Sequence, residues 1–266
     1  MNTPLVGAYD PDVHQAIARI IRRYSTNPAD IRHEALRGID LSGATRLLDL
    51  GCGYGAMVEA LAGRIPPGAE VIGIDMYSSN EDVFLARARA VTDSARFICR
   101  KLDSRLDFPT QSFDAVIAVY SLYFFPRLIP EVARVLKPDG VLVSLTHSES
   151  NFQGMLAAMG VPPRQSALHS LLLGFSAENG AARLAEHFGA VESRPYLNTL
   201  VFRAEDLEDY MALMRFKLPS LLPDGDPALG RPESLLAWAR ELLAREGCVS
   251  IEKDDAVFIA TEPRPS

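Results

Sequence analysis

Leu47-Leu48-Asp49-Leu50-Gly51-Cys52-Gly53-Tyr54-Gly55 decides how this chain reads. A short apolar run passes straight into a turn with glycine at every second position, and a helical pattern from Gly55 to Arg64 follows. Glycine tolerates positive φ and lets a ligand approach the backbone, while the first turn of a helix exposes N–H groups that lack intrahelical partners. Strand, glycine turn and helix together predict a nucleoside site. Read as Gly51-x-Gly53-x-x-Ala56, the segment also satisfies the dinucleotide fingerprint, with Asp75 at the end of the next strand to hold an NAD ribose. Asp49 points elsewhere: a carboxylate just before the turn would repel a pyrophosphate and suit a cationic ligand.

Outward from this turn, short apolar runs alternate with helical patterns. The strands are expected at Arg46 to Leu50, Glu70 to Asp75, Arg96 to Cys99, Ala115 to Val119 and Val141 to Thr146. Helices are expected at Gly55 to Arg64, at Glu81 to Val91 after the cap Asn80, and at Leu128 to Leu136, stopped by Lys137-Pro138-Asp139-Gly140. Such alternation implies an α/β fold, a doubly wound, mostly parallel sheet covered on both faces. Two helices come first, Val13 to Tyr24 and one capped by Asn27. Beyond Thr146 the regularity breaks at Asn151 to Phe175, which reads as a lid. A helix at Ala177 to Phe188, a strand at Val191 to Phe202, a helix at Glu205 to Phe216, a loop from Pro219 to Pro232 and a helix at Glu233 to Arg245 follow. Cys248 to Ile251 and Ala256 to Ala260 read as a terminal hairpin around Lys253-Asp254-Asp255. The expected organisation is one domain over 1–266, with an N-terminal helical cover (1–42), a core (43–147), a lid insertion (148–176), and a C-terminal half (177–266) that carries inserted helices at 204–246.

Composition narrows the partners. Asp+Glu number 34 against 27 Lys+Arg, a formal net charge of −7, so phosphate backbones would repel the chain and nucleic acid is not expected. The arginines at 19, 22, 23, 87 and 89 read as solvated helix faces. With no run near ~20 apolar residues, no basic-then-apolar leader and three cysteines far apart, a cytoplasmic protein without disulfides, structural zinc or membrane contact is expected.

Asp49-Leu50-Gly51-Cys52-Gly53-Tyr54-Gly55 resembles the first motif of the class I S-adenosylmethionine-dependent methyltransferases, an acidic residue followed by Gly-x-Gly-x-Gly. Gly73-Ile74-Asp75-Met76 is similar to the family's second motif, and Leu102-Asp103-Ser104 to its third. The resemblance implies a Rossmann-like core with a reversed last strand and S-adenosylmethionine as cofactor. It further implies that Asp49, Gly51, Cys52, Gly53 and Gly55 lie along the methionyl and ribose groups, that Asp75 binds the ribose hydroxyls, and that Met76, Asp103 and Ser104 lie near the adenine. Two departures stand out: the stretch from Asp103 to Asp114 is one residue short, and Asp139 replaces a common glycine.

Catalytic candidates come from position. His147 follows the fifth strand at the carboxyl rim where open parallel sheets bind ligands, and is the candidate general base. Tyr120 and Tyr123 follow the fourth strand, and Tyr120 is a candidate for cofactor or acceptor contact; Tyr9 and Tyr24 belong to the N-terminal cover. Met155, Met159, Met211 and Met214 read as core. Asp114, opening a strand, reads as structural. No carboxylate follows strand four to join a hard-cation site, so metal is not expected. The function expected is methyl transfer to a small, partly apolar acceptor enclosed by the terminal helices and the lid. The alternatives are an NAD-dependent oxidoreductase or a non-methylating S-adenosylmethionine-binding protein.

Overall fold

A computed structural model describes residues 10–223 and 232–264. The chain runs through α1 (Pro11–Tyr24), α2 (Ile31–Ala35), β1 (Arg46–Leu50), α3 (Ala56–Glu59), β2 (Glu70–Asp75), α4 (Glu81–Arg89), β3 (Ser94–Cys99), β4 (Phe113–Val119), α5 (Ile129–Val135) and β5 (Leu136–His147). It continues through α6 (Gln153–Ala158), α7 (Ala167–Leu172), α8 (Gly180–Ala185), β6 (Phe188–Tyr196), β7 (Thr199–Arg203), α9 (Leu207–Leu221), α10 (Pro232–Glu246), β8 (Cys248–Glu252) and β9 (Asp255–Pro263). Packing divides it into two units. One gathers the chain up to Pro28 with Ser148–Leu173 and Leu197–Asp254; the other gathers Ala29–His147, Gly174–Tyr196 and the chain from Asp255.

The second unit is built on a seven-stranded sheet of order β3-β2-β1-β4-β5-β9-β6. β3, β2, β1, β4 and β5 are parallel neighbours, whereas β9 runs antiparallel to β5 and to β6. Leu47, Leu48 and Leu50 of β1 and Ile72 and Ile74 of β2 are all buried, without the alternation of a one-sided sheet, because helices cover both faces. α2 packs with this unit: Ala35 and Leu36 join a core that includes Leu47, Val58, Phe84, Ile117 and Val143. An added Cβ at Gly73 would come within 2.4 Å of Phe84 Cζ, so glycine there makes room for the buried ring.

The first unit is mainly helical around the two-stranded sheet β7-β8. Asp10 caps α1, accepting from the Asp12 N–H at 2.8 Å. Tyr210, Met211 and Met214 of α9 and Met155 of α6 are buried together with Phe202 and Leu243, the core role expected of the methionines.

Five expectations need correction. The hairpin does not form: β8 pairs with β7, and β9 pairs with β6 and β5. The strand expected over 191–202 is two strands in separate sheets, broken where Asn198 accepts from Lys253 N–H and donates its own N–H to Asp254 Oδ1. The cap of the second helix is Asp30 rather than Asn27, whose amide donates to the Leu197 carbonyl. α3 stops at Glu59 because the chain then tightens into bonds such as Ala60 N–H to Met57 O, and Gly63 adopts φ +70°. Pro219 does not end α9, which runs on to Leu221; Pro lacks only one N–H and sits in the last turn. The rest of the loop expected there, 224–231, and Tyr9 lie outside the described residues.

Asp114 has the structural role expected of it. Its Oδ2 accepts from Thr45 N–H, Thr45 Oγ1 and Arg46 N–H at 2.9 Å each, and Oδ1 meets Lys137 Nζ. β4 and β5 shift register at this point, between Phe113 and Ala115, so the carboxylate ties the bulge to the start of β1. Asp114→Ala should lower unfolding free energy by about 2 kcal/mol in a urea titration, since several charge-assisted bonds go at once. Unchanged stability would show the bulge to be held by the sheet alone.

Candidate active site

Strand order reverses direction between β1 and β4, and the crevice outside their carboxyl ends is where open parallel sheets bind ligands. The glycine turn leaves β1 there, with φ of +67° at Gly51, +50° at Gly53 and +80° at Gly55. Each value is one that a side chain would strain. The turn is docked on the end of β2: Gly51 and Cys52 N–H donate to the Ile74 carbonyl at 2.8 and 3.1 Å, and Gly53 N–H donates to Asp75 Oδ2 at 2.9 Å. Opposite, the Ser121 hydroxyl donates to the Leu50 carbonyl at 2.7 Å. An added Cβ at Gly51 would lie 2.7 Å from Ser121 Cβ, so glycine is also needed there for the loops to pass.

Asp75 organises the second wall. Besides Gly53, it accepts at Oδ1 from Tyr77 N–H at 2.9 Å and from the Asn80 amide at 3.2 Å. Asn80, expected to cap α4 with its side chain, turns that amide to Asp75 instead, and its Oδ1 is buried without a partner among the described residues. A carboxylate offers about four lone-pair positions, so with three taken Asp75 keeps room at Oδ2 for one further hydroxyl donor.

Asp49 is the anomaly. It lies in β1 opposite Gly73 on β2 and Ile117 on β4, is 3 % exposed, and its Oδ2 has no hydrogen-bond partner among the described residues. Burial, reinforced by the Asp75 charge, pushes its carboxyl up to about 7. An orphaned buried carboxylate at the mouth of a glycine turn fits a ligand that brings a positive charge.

The other expected cofactor residues fall around this turn unevenly. Met76 is 40 % exposed, an apolar surface just beyond Asp75. Cys52 is buried, its thiol close enough that an added Cβ at Gly73 would come within 2.7 Å of it, so only its backbone faces the turn. Asp103 and Ser104 are exposed at the tip of a loop anchored by buried Leu102 and Leu106 and by the Arg100 pair with Asp107.

At the far side of the crevice four side chains meet. His147, 8 % exposed at the end of β5, directs Nδ1 to Asp255 Oδ1 at 2.7 Å. The Tyr120 hydroxyl donates to Asp255 Oδ2 at 2.8 Å, and its ring stacks on the imidazole at 4.4 Å. Tyr123 stacks beside them at 5.9 Å. Tyr120 takes φ +52°, unusual for a bulky residue, as the chain leaves β4. Tyr24 has a different place: within the helical unit its hydroxyl lies 3.0 and 2.8 Å from Asp206 and Asp209. Asp255 was invisible to sequence reasoning because it stands 108 positions from His147, and its neighbours read as a turn.

The Asp49 carboxyl gives a pH test. A group with a raised folded-state value binds its proton more tightly when folded, so stability falls as pH rises from about 4 to about 7 and is flat above. At about 1.4 kcal/mol per unit, the loss is on the order of 4 kcal/mol. Asp49→Asn cannot ionise, so chemical denaturation should show the wild type losing stability relative to the variant across that window. Parallel curves would mean that Asp49 ionises freely in the folded protein.

The fold resembles that of known proteins, and part of the sequence matches a family. The methyltransferase domain family matches residues 48–144. Trans-aconitate 2-methyltransferase of Paracidovorax citrulli is 35% identical over 134 residues, 49% of this chain and 48% of that one. Nocamycin O-methyltransferase of Saccharothrix syringae is 40% identical over 100 residues, 35% of each chain. The matched part thus spans about half or less of these relatives' length. Among solved structures, the YcgJ protein of Bacillus subtilis superposes with a TM-score of 0.52 at 19% identity, over 94% of this chain and 99% of that one. Phosphoethanolamine N-methyltransferase 2 of Haemonchus contortus, in complex with S-adenosyl-L-methionine, gives 0.55 at 18% identity, over 97% of this chain and 59% of that one. At these identities the structures speak for the fold, while the family match takes in the glycine turn and the strands after it. Residues 48–144 thus match the methyltransferase domain family, and the seven-stranded sheet has the Rossmann-like fold of these solved structures.

Proposed function

We propose that this chain binds S-adenosylmethionine on the β1 turn and transfers its methyl group to a small, partly apolar acceptor, without a metal ion. The observation that carries this reading is the buried Asp49 oxygen beside the glycine turn, which has no partner among the described residues. It has no use for a pyrophosphate, which argues against the NAD alternative, and it suits the positive charge of a sulfonium or an α-ammonium group. The relatives named above are methyltransferases of small molecules, which favours transfer over mere cofactor binding. The three cysteines are unpaired, which favours a reducing compartment such as the cytoplasm.

In this reading the backbone of Gly51, Cys52, Gly53 and Gly55 lies along the methionyl group, where positive φ and absent side chains leave room. Asp75 accepts from a ribose hydroxyl while still holding Gly53 N–H. Met76 covers one face of the adenine, and Asp103 and Ser104 meet its polar edge. When bound, the cofactor supplies a methyl group activated by the sulfonium charge. The protein's task is then alignment and water exclusion, and positioning contributes up to ~7–11 kcal/mol to such reactions. His147 takes a proton where the acceptor must lose one.

Calorimetry with S-adenosylhomocysteine should show Asp75→Ala binding at least ~10-fold more weakly than wild type, because a charge-assisted bond contributes ~1.5–3 kcal/mol. NAD should not bind the wild type. Unchanged affinity in the variant, or micromolar NAD binding, would contradict the assignment.

A further inference from the structure

Asp255 is 4 % exposed and engages two different rings, His147 through Oδ1 and Tyr120 through Oδ2. In the antiparallel register it stands opposite His147 on β5 and Tyr196 on β6. Asp255, Tyr120 and Tyr123 lie against the imidazole, and Tyr196, whose hydroxyl donates to the Ala29 carbonyl, stands beside Asp255. Tyr120 and Tyr123 stack against the imidazole with planes within 27° and 24°, so the ring is held flat as well as by its edge. An ionised carboxylate only accepts hydrogen bonds. Against an ionised Asp255, Nδ1 would carry the proton, and in the neutral ring the basic lone pair would then lie on Nε2. A histidine that merely packs has no need of a buried carboxylate fixed on its second oxygen by a tyrosine.

We infer that Asp255 and Tyr120 are positioning residues that hold His147 in the Nδ1–H tautomer, ready to take a proton at Nε2, and that the methyl acceptor is accordingly a hydroxyl. The inference deepens the function proposed above and rests on it. A carboxylate acceptor has no proton to give near neutral pH, and an amine attacks through a lone pair it already has, whereas a hydroxyl must lose its proton during transfer. As the acceptor oxygen forms its bond to the methyl carbon, its proton passes to Nε2. The carbon–sulfur bond breaks with its electron pair returning to sulfur, and the sulfonium becomes a thioether. The positive charge then resides on His147 as an imidazolium, faced by Asp255, until the proton leaves to water. Asp255 stays ionised and takes no proton.

The tautomer can be read without cofactor or acceptor, by nitrogen NMR of protein labelled at histidine, with His147 identified by the signal lost in His147→Gln. The wild type at pH 8 should show Nδ1 protonated and Nε2 bare, and Asp255→Asn should convert this to a mixture of tautomers. Tyr120→Phe, which deletes one oxygen, serves the same purpose if Asp255→Asn does not fold; it should broaden or shift the same signals. A wild-type Nε2–H tautomer, or signals that neither variant alters, would overturn the positioning role.

The acceptor class is tested with S-adenosylmethionine and matched probes: 2-naphthol and 1-octanol against 2-naphthylamine and octanoate. S-Adenosylhomocysteine should form with a hydroxyl probe. His147→Gln should lower its kcat by ~10²–10⁴-fold and Asp255→Asn by ~10²-fold, with KM and S-adenosylhomocysteine affinity within about twofold. Faster transfer to the amine or the carboxylate, transfer to neither hydroxyl, or undiminished kcat in His147→Gln would overturn the assignment. Absence of S-adenosylhomocysteine binding to the wild type would instead defeat the cofactor reading, and the tautomer measurement would still stand by itself.

Discussion

The hydrogen bond from Gly53 N–H to the Asp75 carboxylate is the constraint on which the site depends. It joins the turn after β1 to the end of β2, and with the bonds from Gly51 and Cys52 to Ile74 it holds three positive-φ glycines in one curve. Everything else at the crevice is arranged around that curve. Ser121 closes it from the β4 side, Asn80 steadies Asp75 from the start of α4, and Phe84 fills the space that Gly73 leaves. The turn is thus rigid before any ligand arrives, which lowers the ordering cost of binding.

The same rigidity carries a penalty at Asp49. A carboxyl buried without a partner on one oxygen destabilises the charged form, and nothing in the packing of β1 requires an acidic residue there. Strain of this kind at a ligand site is the expected trade between stability and function. It gives the position a meaning that the hydrophobic strands around it do not have.

How much was legible in the sequence follows from how local each signal is. β1 and β2 are found residue for residue, because each is an uninterrupted apolar run bounded by glycine or charge. Asp49, Asp75 and the glycines were legible because the turn is a local device. Pairing between distant segments was not. β8 and β9 are neighbours in sequence with a plausible turn between them, yet β9 is drawn to β5 and β6 by its buried Val257, Phe258 and Ala260, while alternating Val249 and Ile251 place β8 on β7. Asp255 inherits its role from that pairing, since only the β5–β9 register sets it opposite His147. The split of 191–202 was hidden for a similar reason: the Leu197-Asn198 break is made by backbone bonds to residues more than fifty positions away.

The central claim is that the β1 turn and Asp75 form one cofactor site facing His147. A crystal structure of the chain with S-adenosylhomocysteine tests it most directly. A ribose hydroxyl should lie within hydrogen-bond distance of Asp75, the amino acid portion should run along Gly51–Gly55 with its ammonium toward Asp49, and the sulfur should face the His147 side of the crevice. A nucleoside bound elsewhere, or with its ribose away from Asp75, would contradict the claim.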